Sequence, residues 1–215
     1  MTGYILCVLR RSAFIVPASP ILRERPPAGN AWLHEVKFDG WRIQLHKHER
    51  GVAIYTRNGH DYTRSLPAIT ASVAALPCRS CIIDGELTAI DEYGLPDFRA
   101  LHFRAARDEE LCVWGFDLLN FNGADTRALP LVQRKHLLER LFNKANDDWL
   151  RFSETFNDGE KLLASCERMG LEGVVSKKKD AAYRSGKGDW IKVKCDTWRK
   201  ANKDRGELFN RDKGR

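Results

Sequence analysis

The chain has 215 residues, 43 % of them hydrophobic, with 10 Phe and 6 Trp. This length and apolar content are enough for one large domain with its own core, and they indicate an ordinary globular protein. The 36 Lys and Arg exceed the 29 Asp and Glu, giving a net charge of +7. Such a balance favours polyanionic partners, but a merely basic solvated surface would produce the same charge.

Neither the cysteines nor the apolar runs point to secretion or to a membrane. The 6 cysteines have no framework spacing, which in a chain of this length indicates reduced thiols. Cys78 and Cys81 lead into a predicted strand rather than opening a helix, which disfavours a redox or metal role. The apolar run 4–9 is too short for a signal core, and no stretch approaches the roughly 18 to 20 apolar residues of a membrane span. We therefore expect a cytoplasmic protein with no membrane partner.

The first elements along the chain are a proline-rich lead-in and a pair of strands. Residues 17–30 carry repeated prolines, so we expect an extended segment there and no regular element. The compact domain is predicted to begin near Trp32. Apolar residues then alternate between Ile43 and Tyr55, ahead of the turn-forming Asn58-Gly59, which predicts an antiparallel pair of strands.

The remaining segments predict alternating helices and strands. Helical spacing or amphipathicity marks 69–76, 131–142 and 160–169, and strand patterns mark 81–90, 111–119, 171–176 and 190–193, with the hairpin residues Asn122-Gly123 after the second strand. This order indicates an α+β fold with largely antiparallel sheets, not a doubly wound parallel sheet. We predict an N-terminal extension over 1–16, the main domain over 17–196 and a basic tail over 197–215, the tail being a short helix at most or disordered.

The most informative stretch for chemistry is Glu35-Val36-Lys37-Phe38-Asp39-Gly40-Trp41-Arg42. It places a lysine between two acids on a predicted strand, next to a turn-forming glycine. A lysine acts as a nucleophile only when neutral, a state that burial and neighbouring cations favour. Read alone, this pattern fits an exposed lysine beside a turn better than it fits a catalytic one.

Further charged residues interrupt predicted core strands in order along the chain. They occur in the segments Arg57-Asn58-Gly59, Asp84-Gly85-Glu86, Phe116-Asp117-Leu118, Glu172 to Lys177, and Trp190 to Lys194. Ionised groups inside core strands are costly unless they are paired or used, so their repetition predicts a shared cleft. Taken singly, each would be a position at a sheet edge or on a solvent-facing side, as the period-two spacing of Lys192 and Lys194 also allows.

In their order and residue types, these motifs resemble those of the covalent nucleotidyltransferases, and among these enzymes the ATP-dependent DNA ligases. The resemblance runs from about Pro17 to Cys195. It is closest to bacterial ligases of the end-joining type. The segments that resemble those ligases are 32–37, 116–119, Leu129-Pro130-Leu131 before Arg134-Lys135, and 182–186 before Trp190. It implies a nucleotidyltransferase (ATP-grasp-like) domain with an ATP cleft between antiparallel sheets.

The same resemblance implies roles for individual residues. Lys37 would form a lysyl-AMP intermediate with ATP, while Glu35 would recognise adenine and Glu172 would help to hold Mg²⁺ or Mn²⁺. The remaining implied roles are ribose or phosphate binding by Arg42 and Arg57, ribose contact by Glu86, base stacking by Phe116, and α-phosphate binding by Lys177, Lys192 and Lys194. Lysines and a divalent cation supply the charge neutralisation that in-line attack on an α-phosphate requires.

The resemblance also implies partners. The substrate would be DNA with nicks or breaks, bound by a monomer associated with the nucleoid, with a separate DNA-binding or end-joining protein as a further partner. Family ligases carry an oligonucleotide-binding barrel after the last lysine motif, and the residues after Cys195 leave no room for its five strands. We read the similarity of Asn210-Arg211-Asp212-Lys213 to the final motif of that barrel as chance, and we expect sealing by this chain to be weak.

Two alternatives remain open from the residues. The chain could be a nucleotide- or DNA-binding module that keeps the cleft without the chemistry. It could also act on RNA, since RNA ligases and capping enzymes share the Lys-x-Asp-Gly pattern, although the segment from Ala182 to Lys194 favours DNA.

Overall fold

The computed structural model describes residues 14–92, 96–102, 107 and 110–203, without the side chains of Arg99 and Lys187. Its strands are β1 (Ala18–Leu22), β2 (Trp32–Lys37), β3 (Trp41–His48), β4 (Gly51–Thr56), β5 (Cys81–Ala89), β6 (Leu111–Phe121), β7 (Ala124–Asp125), β8 (Leu150–Phe152), β9 (Gly173–Lys178) and β10 (Gly186–Lys194). Its helices are α1 (Pro67–Ala75), α2 (Phe98–His102), α3 (Leu131–Ala145), α4 (Gly159–Arg168) and α5 (Asp196–Ala201), with a 3₁₀ turn at Thr63–Ser65. The predicted basic tail lies beyond α5, and its residues 204–215 are outside the described part of the chain.

The strands form two sheets. The smaller sheet has the order β1-β10-β9-β2, and the larger sheet has the order β4-β3-β5-β6-β7, with β8 added beside β6. Pairing is antiparallel throughout except between β1 and β10 and between β6 and β8. The predicted α+β architecture with largely antiparallel sheets is confirmed.

Apolar side chains hold the two sheets and the helices together in three clusters. The largest packs α1 and α3 against the larger sheet, around fully buried residues such as Leu45, Ile83 and Leu118. A second cluster lies between the sheets and includes Phe116, Tyr183 and Trp190. A third joins α4 and α5 to the smaller sheet. The second cluster fixes one sheet against the other and so forms the floor of the cleft described below.

The lead-in segment differs from the prediction, because Ala18–Leu22 forms the edge strand β1. Proline is tolerated in an edge strand or at a bulge, where its missing N–H breaks no ladder hydrogen bond. Pro20 occupies such a place, since the pairing register with β10 shifts between Ser19 and Ile21. The prediction of no regular element in this segment was therefore wrong over these five residues.

Both predicted turns reverse the chain, but only one of them joins two strands, since Asn58-Gly59 leads to a single bridge between Tyr55 and Asp61. Asn122 (φ 51°) and Gly123 (φ 90°) link β6 to β7 with the left-handed conformations of a tight hairpin. The predicted pair β3 and β4 is also present, but its reversal lies at Glu49-Arg50, and Asn58-Gly59 follows β4 instead.

Contacts cross both predicted domain boundaries. The Gln44 side chain donates to the Ile15 carbonyl (2.6 Å) and accepts from the Ile15 N–H (3.3 Å). At the other end, Trp198 on α5 packs against the cluster of α4 and the smaller sheet. No helix in the described ranges is long and apolar enough to cross a membrane.

Candidate functional site

Lys37 is the last residue of β2 and lies opposite Gly173 of the neighbouring strand β9. The turn that follows it is pinned by Gly40, where an added Cβ would lie 2.1 Å from the Leu87 carbonyl oxygen of β5. A Cβ at Gly173 (φ +150°) would lie 2.0 Å from the Val193 carbonyl oxygen of β10. Glycine at these two places lets neighbouring backbones approach closely, which brings the Lys37 turn against both sheets.

A carboxylate bridges two of the predicted catalytic lysines. Glu172 Oε2 lies 2.6 Å from Lys37 Nζ, and Glu172 Oε1 lies 2.9 Å from Lys194 Nζ. The Glu172 side chain is 5 % exposed, while those of Lys37 and Lys194 are 20 % and 27 % exposed. The two ammonium groups compensate the desolvated carboxylate and remain accessible to a ligand entering the cleft.

More cations surround this bridge. Burial, together with the charges of Lys37 and Lys194, lowers the pKa of Lys192, and Arg57 contributes in the same direction. Arg57 is exposed and lines the same cavity from the opposite sheet. Together with Arg42, these cations outnumber the three carboxylates that line the cavity, Asp39, Glu86 and Glu172, and the excess of positive charge suits a polyphosphate.

Glu35 is buried two residues before Lys37 on β2, opposite Val175 of β9. Its Oε1 lies 2.9 Å from Lys177 Nζ and 3.2 Å from Lys135 Nζ, and its Oε2 accepts a hydrogen bond from Ser153 Oγ (3.0 Å). Burial alone would raise the pKa of Glu35, but the two lysines hold it below its usual value. The two ammonium groups approach Oε1 within 3.2 Å, but neither is aligned with it as a hydrogen-bond donor, which leaves part of its accepting capacity unused. A buried acceptor in this state can take a donor from a ligand.

Aromatic rings and cations form the wall next to Glu35. Phe116 has the Arg42 guanidinium and Lys177 Nζ each 4.5 Å from its ring centroid, and Lys177 Nζ is also 4.1 Å from the Trp190 ring. Burial lowers the pKa of Lys177 to about 8, with Glu35 opposing the shift. The structure thus groups Lys177 with Glu35 and the rings, whereas Lys192 and Lys194 accompany Lys37. The predicted contact of Lys177 with an α-phosphate stays a prediction.

Two of the charged residues within core strands serve the fold instead of lining the cleft. Asp84 receives a bidentate contact from Arg42, with Nε–Oδ1 and Nη2–Oδ2 distances of 2.6 and 2.7 Å, and accepts from the Tyr183 hydroxyl at 2.6 Å. Asp117 is held in the same bidentate way by buried Arg134, at 2.7 and 3.0 Å. The prediction of one cleft for all these charges was therefore wrong for Asp84 and Asp117, and Arg42 reaches the cleft with its guanidinium already tied to Asp84.

Glu86 of β5 lies across the cleft from Lys37 and is partly exposed. Burial raises the pKa of Glu86 to about 7, the charges of Glu172 and Asp84 add to the increase, and Lys37 and Arg42 oppose it. In the free protein near neutral pH this carboxyl is therefore divided between its protonated and ionised forms.

This shift predicts a pH-dependent effect of Glu86→Gln on stability. The folded chain binds the Glu86 proton more tightly than the unfolded chain, so wild type loses stability as the pH rises from about 4.5 to about 7. Glutamine resembles the protonated acid and should therefore raise the melting temperature at pH 8 by about 3 to 6 °C, with no gain near pH 4.5. Thermal melts of wild type, Glu86→Gln and the exposed control Glu49→Gln across this range test it, and a gain independent of pH would contradict it.

The predicted site residues line two connected spaces. The smaller, about 70 Å³, is bounded by Glu35, Phe116, Val175, Lys177 and Trp190. The larger, about 880 Å³, is bounded by Arg57, Glu172, Lys192, Lys194 and Trp198. Lys37, Arg42 and Glu86 line both spaces. A largely apolar slot thus opens past Lys37 into a wide cationic cavity.

Three residues of the site were not identified as functional from the sequence. Lys135 and Ser153 complete the environment of Glu35, and Trp198 lies over Lys194 with Nζ 4.1 Å from its ring centroid. Lys135 lies next to Arg134 in a segment quoted only for its resemblance, and the other two carry no local pattern. The described residues contain no preformed cluster of three or more His, Cys, Asp or Glu side chains able to hold a metal ion.

Comparison with known proteins gives relatives over most of the chain. It is 42 % identical over 186 residues to the multifunctional non-homologous end joining protein LigD of Pseudomonas aeruginosa, covering 85 % of this chain and 22 % of that protein. The LigD protein of Mycobacterium tuberculosis is 31 % identical over 166 residues, which cover 76 % of this chain and 21 % of that protein. The chain thus spans about a fifth of the length of these two relatives.

Solved structures share the fold. A mycobacterial DNA ligase D complexed with ATP and MES superposes with a TM-score of 0.73 at 27 % identity, over 84 % of this chain and 60 % of that one. An archaeal ATP-dependent RNA ligase gives a TM-score of 0.53 at 18 % identity, over 84 % of this chain and 45 % of the other, and shows the fold alone.

The family described as "ATP dependent DNA ligase domain" matches residues 20–194. The matched range contains the Lys37 turn, the Glu172 bridge and both spaces of the cleft up to Lys194. Of the residues that line the larger space, those at 17–19 and those from Trp198 onward lie outside the matched range. The chain therefore belongs to the ATP-dependent DNA ligase domain family, as an adenylation domain related to the ligase domain of LigD.

Proposed function

We propose that Lys37 takes AMP from ATP as a covalent phosphoramidate, and that the AMP then activates a 5′-phosphate at a break in DNA. One observation carries this proposal. Lys37 lies where the small slot meets the wide cationic cavity, with its Nζ 2.6 Å from Glu172. A nucleotide with its base in the slot and its terminal phosphates in the cavity would place the α-phosphate beside Lys37.

The residues of the slot suit an adenine base and its ribose. The Glu35 Oε1 acceptor can receive the exocyclic amino group of adenine, which guanine replaces with a carbonyl. The Arg42 guanidinium and Lys177 Nζ each lie over the Phe116 ring in the free chain. One of these two cations must therefore move away before the base can stack on the ring. Glu86, at the border of the two spaces, is placed to accept from the ribose hydroxyls, with Arg42 beside it.

The cations of the wide cavity suit the phosphates. Arg57, Lys192 and Lys194 face the space into which the β- and γ-phosphates would extend. In the reaction the Lys37 nitrogen forms a bond to the α-phosphorus, and the bond from that phosphorus to the bridging oxygen breaks. Pyrophosphate leaves with the electron pair. Fixed cations stabilise the charge that develops on the phosphate oxygens during this in-line displacement.

Before it attacks, Lys37 must lose a proton from its ammonium group. Glu172 Oε2, at 2.6 Å, is an acceptor within hydrogen-bond distance. Lys192 and Lys194 line the same cavity and place further positive charge beside this pair.

The carboxylate of Glu172 fits a divalent cation that arrives with the nucleotide. It lines the wide cavity into which the phosphates would extend, between Lys37 and Lys194. Mg²⁺ is usually bound by one or two carboxylates together with substrate phosphates and water, and Mn²⁺ accepts the same ligands. When bound, the cation neutralises phosphate charge.

DNA is the substrate that the relatives favour. Both relatives described above are named for end joining, and each is more than 30 % identical to this chain, whereas the likeness to an RNA ligase is one of fold. We propose that the chain acts as a monomer on nicked or broken DNA, alongside a separate DNA-binding or end-joining protein.

The direct test is to incubate the chain with α-labelled ATP and Mg²⁺ and to map the alkali-stable, acid-labile adduct by peptide mass spectrometry. We expect one AMP on the peptide that contains Lys37, and little product with GTP. A chain that binds ATP without forming an adduct would instead be a nucleotide-binding module.

Sealing of a nick by residues 1–215 assayed alone should be much slower than formation of the adduct. The two later steps require DNA to be held over the mouth of a wide, open cavity, and positioning supplies much of the rate in such transfers. Fusing a ligase oligonucleotide-binding domain after Lys203, beyond α5, should therefore raise sealing at least tenfold while changing the affinity for ATP little. Equal sealing by the fused and unfused chains would refute this explanation.

A further inference from the structure

Trp198 makes two specific contacts at the phosphate end of the cleft. Its ring lies 4.1 Å from Lys194 Nζ, and its indole N–H donates to Asp39 Oδ2 at 3.2 Å. Asp39 belongs to the turn that follows Lys37, and Lys194 is one of the two lysines paired with Glu172. A single side chain beyond the range matched by the ligase family thus contacts one lysine of the Glu172 bridge and the turn that follows the other.

The short helix α5 is anchored, so the position of Trp198 is defined. The Glu167 carboxylate of α4 accepts from the backbone N–H groups of Asp196 (2.9 Å) and Thr197 (2.8 Å). The Cys195 N–H donates to the Glu172 carbonyl at 3.0 Å, which ties the start of α5 to the residue that bridges the lysines. The Trp198 ring also packs on the apolar cluster formed by α4 and the smaller sheet.

We propose that Trp198 is a positioning residue for adenylation, acting through Lys194 and through the Lys37 turn. This inference rests on the function proposed above. The ring face holds the Lys194 ammonium toward the cavity, and the indole N–H holds Asp39 so that the turn presents Lys37 to the α-phosphate.

The physical need for such a residue follows from the exposure of Lys194. At 27 % exposed, its long side chain has access to many rotamers that point into solvent, and only a few that reach the cleft. A ring on one side and the Glu172 carboxylate on the other restrict it to the latter. Because the transition state gains charge on the phosphate oxygens, loss of this restriction should slow the chemical step more than it weakens ATP binding.

The test compares Trp198→Leu and Trp198→Phe with wild type in single-turnover adduct formation at saturating ATP, and measures ATP affinity without metal. Leucine keeps apolar packing and removes both contacts, so we expect about a tenfold slower rate, with ATP affinity changed less than twofold. Phenylalanine keeps the ring and loses the indole donor, so we expect a fall of about two- to fourfold. The control Trp149→Leu removes a partly buried Trp beside the large core, outside the cleft, and should leave the rate within twofold.

The outcomes separate this inference from the proposed function. No adduct from wild type would overturn the proposed function itself. If wild type forms the adduct and the rate of Trp198→Leu is within twofold of the wild-type rate, only the role of Trp198 is overturned. The same role is overturned if more ATP restores the rate of Trp198→Leu, or if Trp149→Leu loses as much rate. If Trp198→Leu does not melt cooperatively, the test rests on Trp198→Phe, and an unchanged rate of adduct formation in that variant overturns the inference.

Discussion

Replacing Lys37 with alanine is expected to abolish AMP transfer to the chain while leaving it folded. The amine is the atom that forms the new bond, so no other described side chain substitutes for it. The fold should tolerate the change because Lys37 is 20 % exposed and because Glu172, its partner, keeps Lys194 at 2.9 Å. The buried carboxylate therefore remains paired, and the large penalty of an uncompensated charge does not arise.

Intact-mass spectrometry after incubation with ATP and Mg²⁺ measures this result, with a thermal melt to verify folding. Lys37→Arg keeps the positive charge beside Glu172 but provides no nucleophilic amine, so it should also form no adduct. Lys161→Ala removes an exposed lysine of α4 and should behave as wild type. An adduct of normal yield in Lys37→Ala would refute the assignment of the nucleophile.

The fold was predictable where local chemistry decides it. The left-handed turn at Asn122-Gly123 and the periodicity of α3 and α4 are set by neighbouring residues, and these elements are present as predicted. The strand β1 was missed because its pairing is not local. It joins β10, more than 160 residues away, and that partner supplies the hydrogen bonds that make a proline-containing segment a strand.

The residue types of the site were more predictable than their arrangement in space. The sequence pattern indicated that Glu86 and Asp117 are both charged residues within core strands, and only their neighbours in the folded chain distinguish them. Glu86 faces the cleft, whereas Asp117 faces Arg134 of α3. In the same way, Lys177 lies in β9 and Lys194 ends β10, and the fold places the first beside Glu35 and the second beside Glu172.

The environment of Glu35 shows why Lys135 and Ser153 could not be identified. A buried carboxylate needs counter-charges and donors, so partners were to be expected, but their positions depend on where α3 and the segment after β8 lie relative to β2. Lys135 approaches from the helix, and it also donates to the Ser153 carbonyl at 2.8 Å. These contacts hold the one carboxylate proposed to read the base.

Glu172→Gln is expected to slow adenylation by about 100-fold or more at saturating ATP and Mg²⁺. Glutamine preserves the shape of the side chain at the start of β9 but removes the charge that pairs with both Lys37 and Lys194. Three consequences follow for the reaction. The acceptor for the Lys37 proton is lost, the divalent cation loses a carboxylate, and the two lysines lose the group that orients them.

ATP binding without metal should respond in the opposite direction. One negative charge fewer near the cationic cavity should leave the affinity for the triphosphate unchanged or raise it. Without Glu172, the pKa of Glu86 should also fall toward its usual value, because Glu172 contributes to raising it. The variant is therefore expected to separate binding from chemistry.

The measurement is single-turnover adduct formation during a Mg²⁺ titration, with ATP affinity determined in chelator. We expect the metal concentration for half-maximal rate to rise, and Mn²⁺ to restore part of the rate. The exposed Glu154→Gln is the matched control and should titrate as wild type. A slow Glu172→Gln with an unchanged metal titration would leave orientation and proton transfer as its roles. An unchanged rate would place Glu172 among the residues that only support the fold, since the ion pairs it makes with both lysines would then contribute nothing to the transfer.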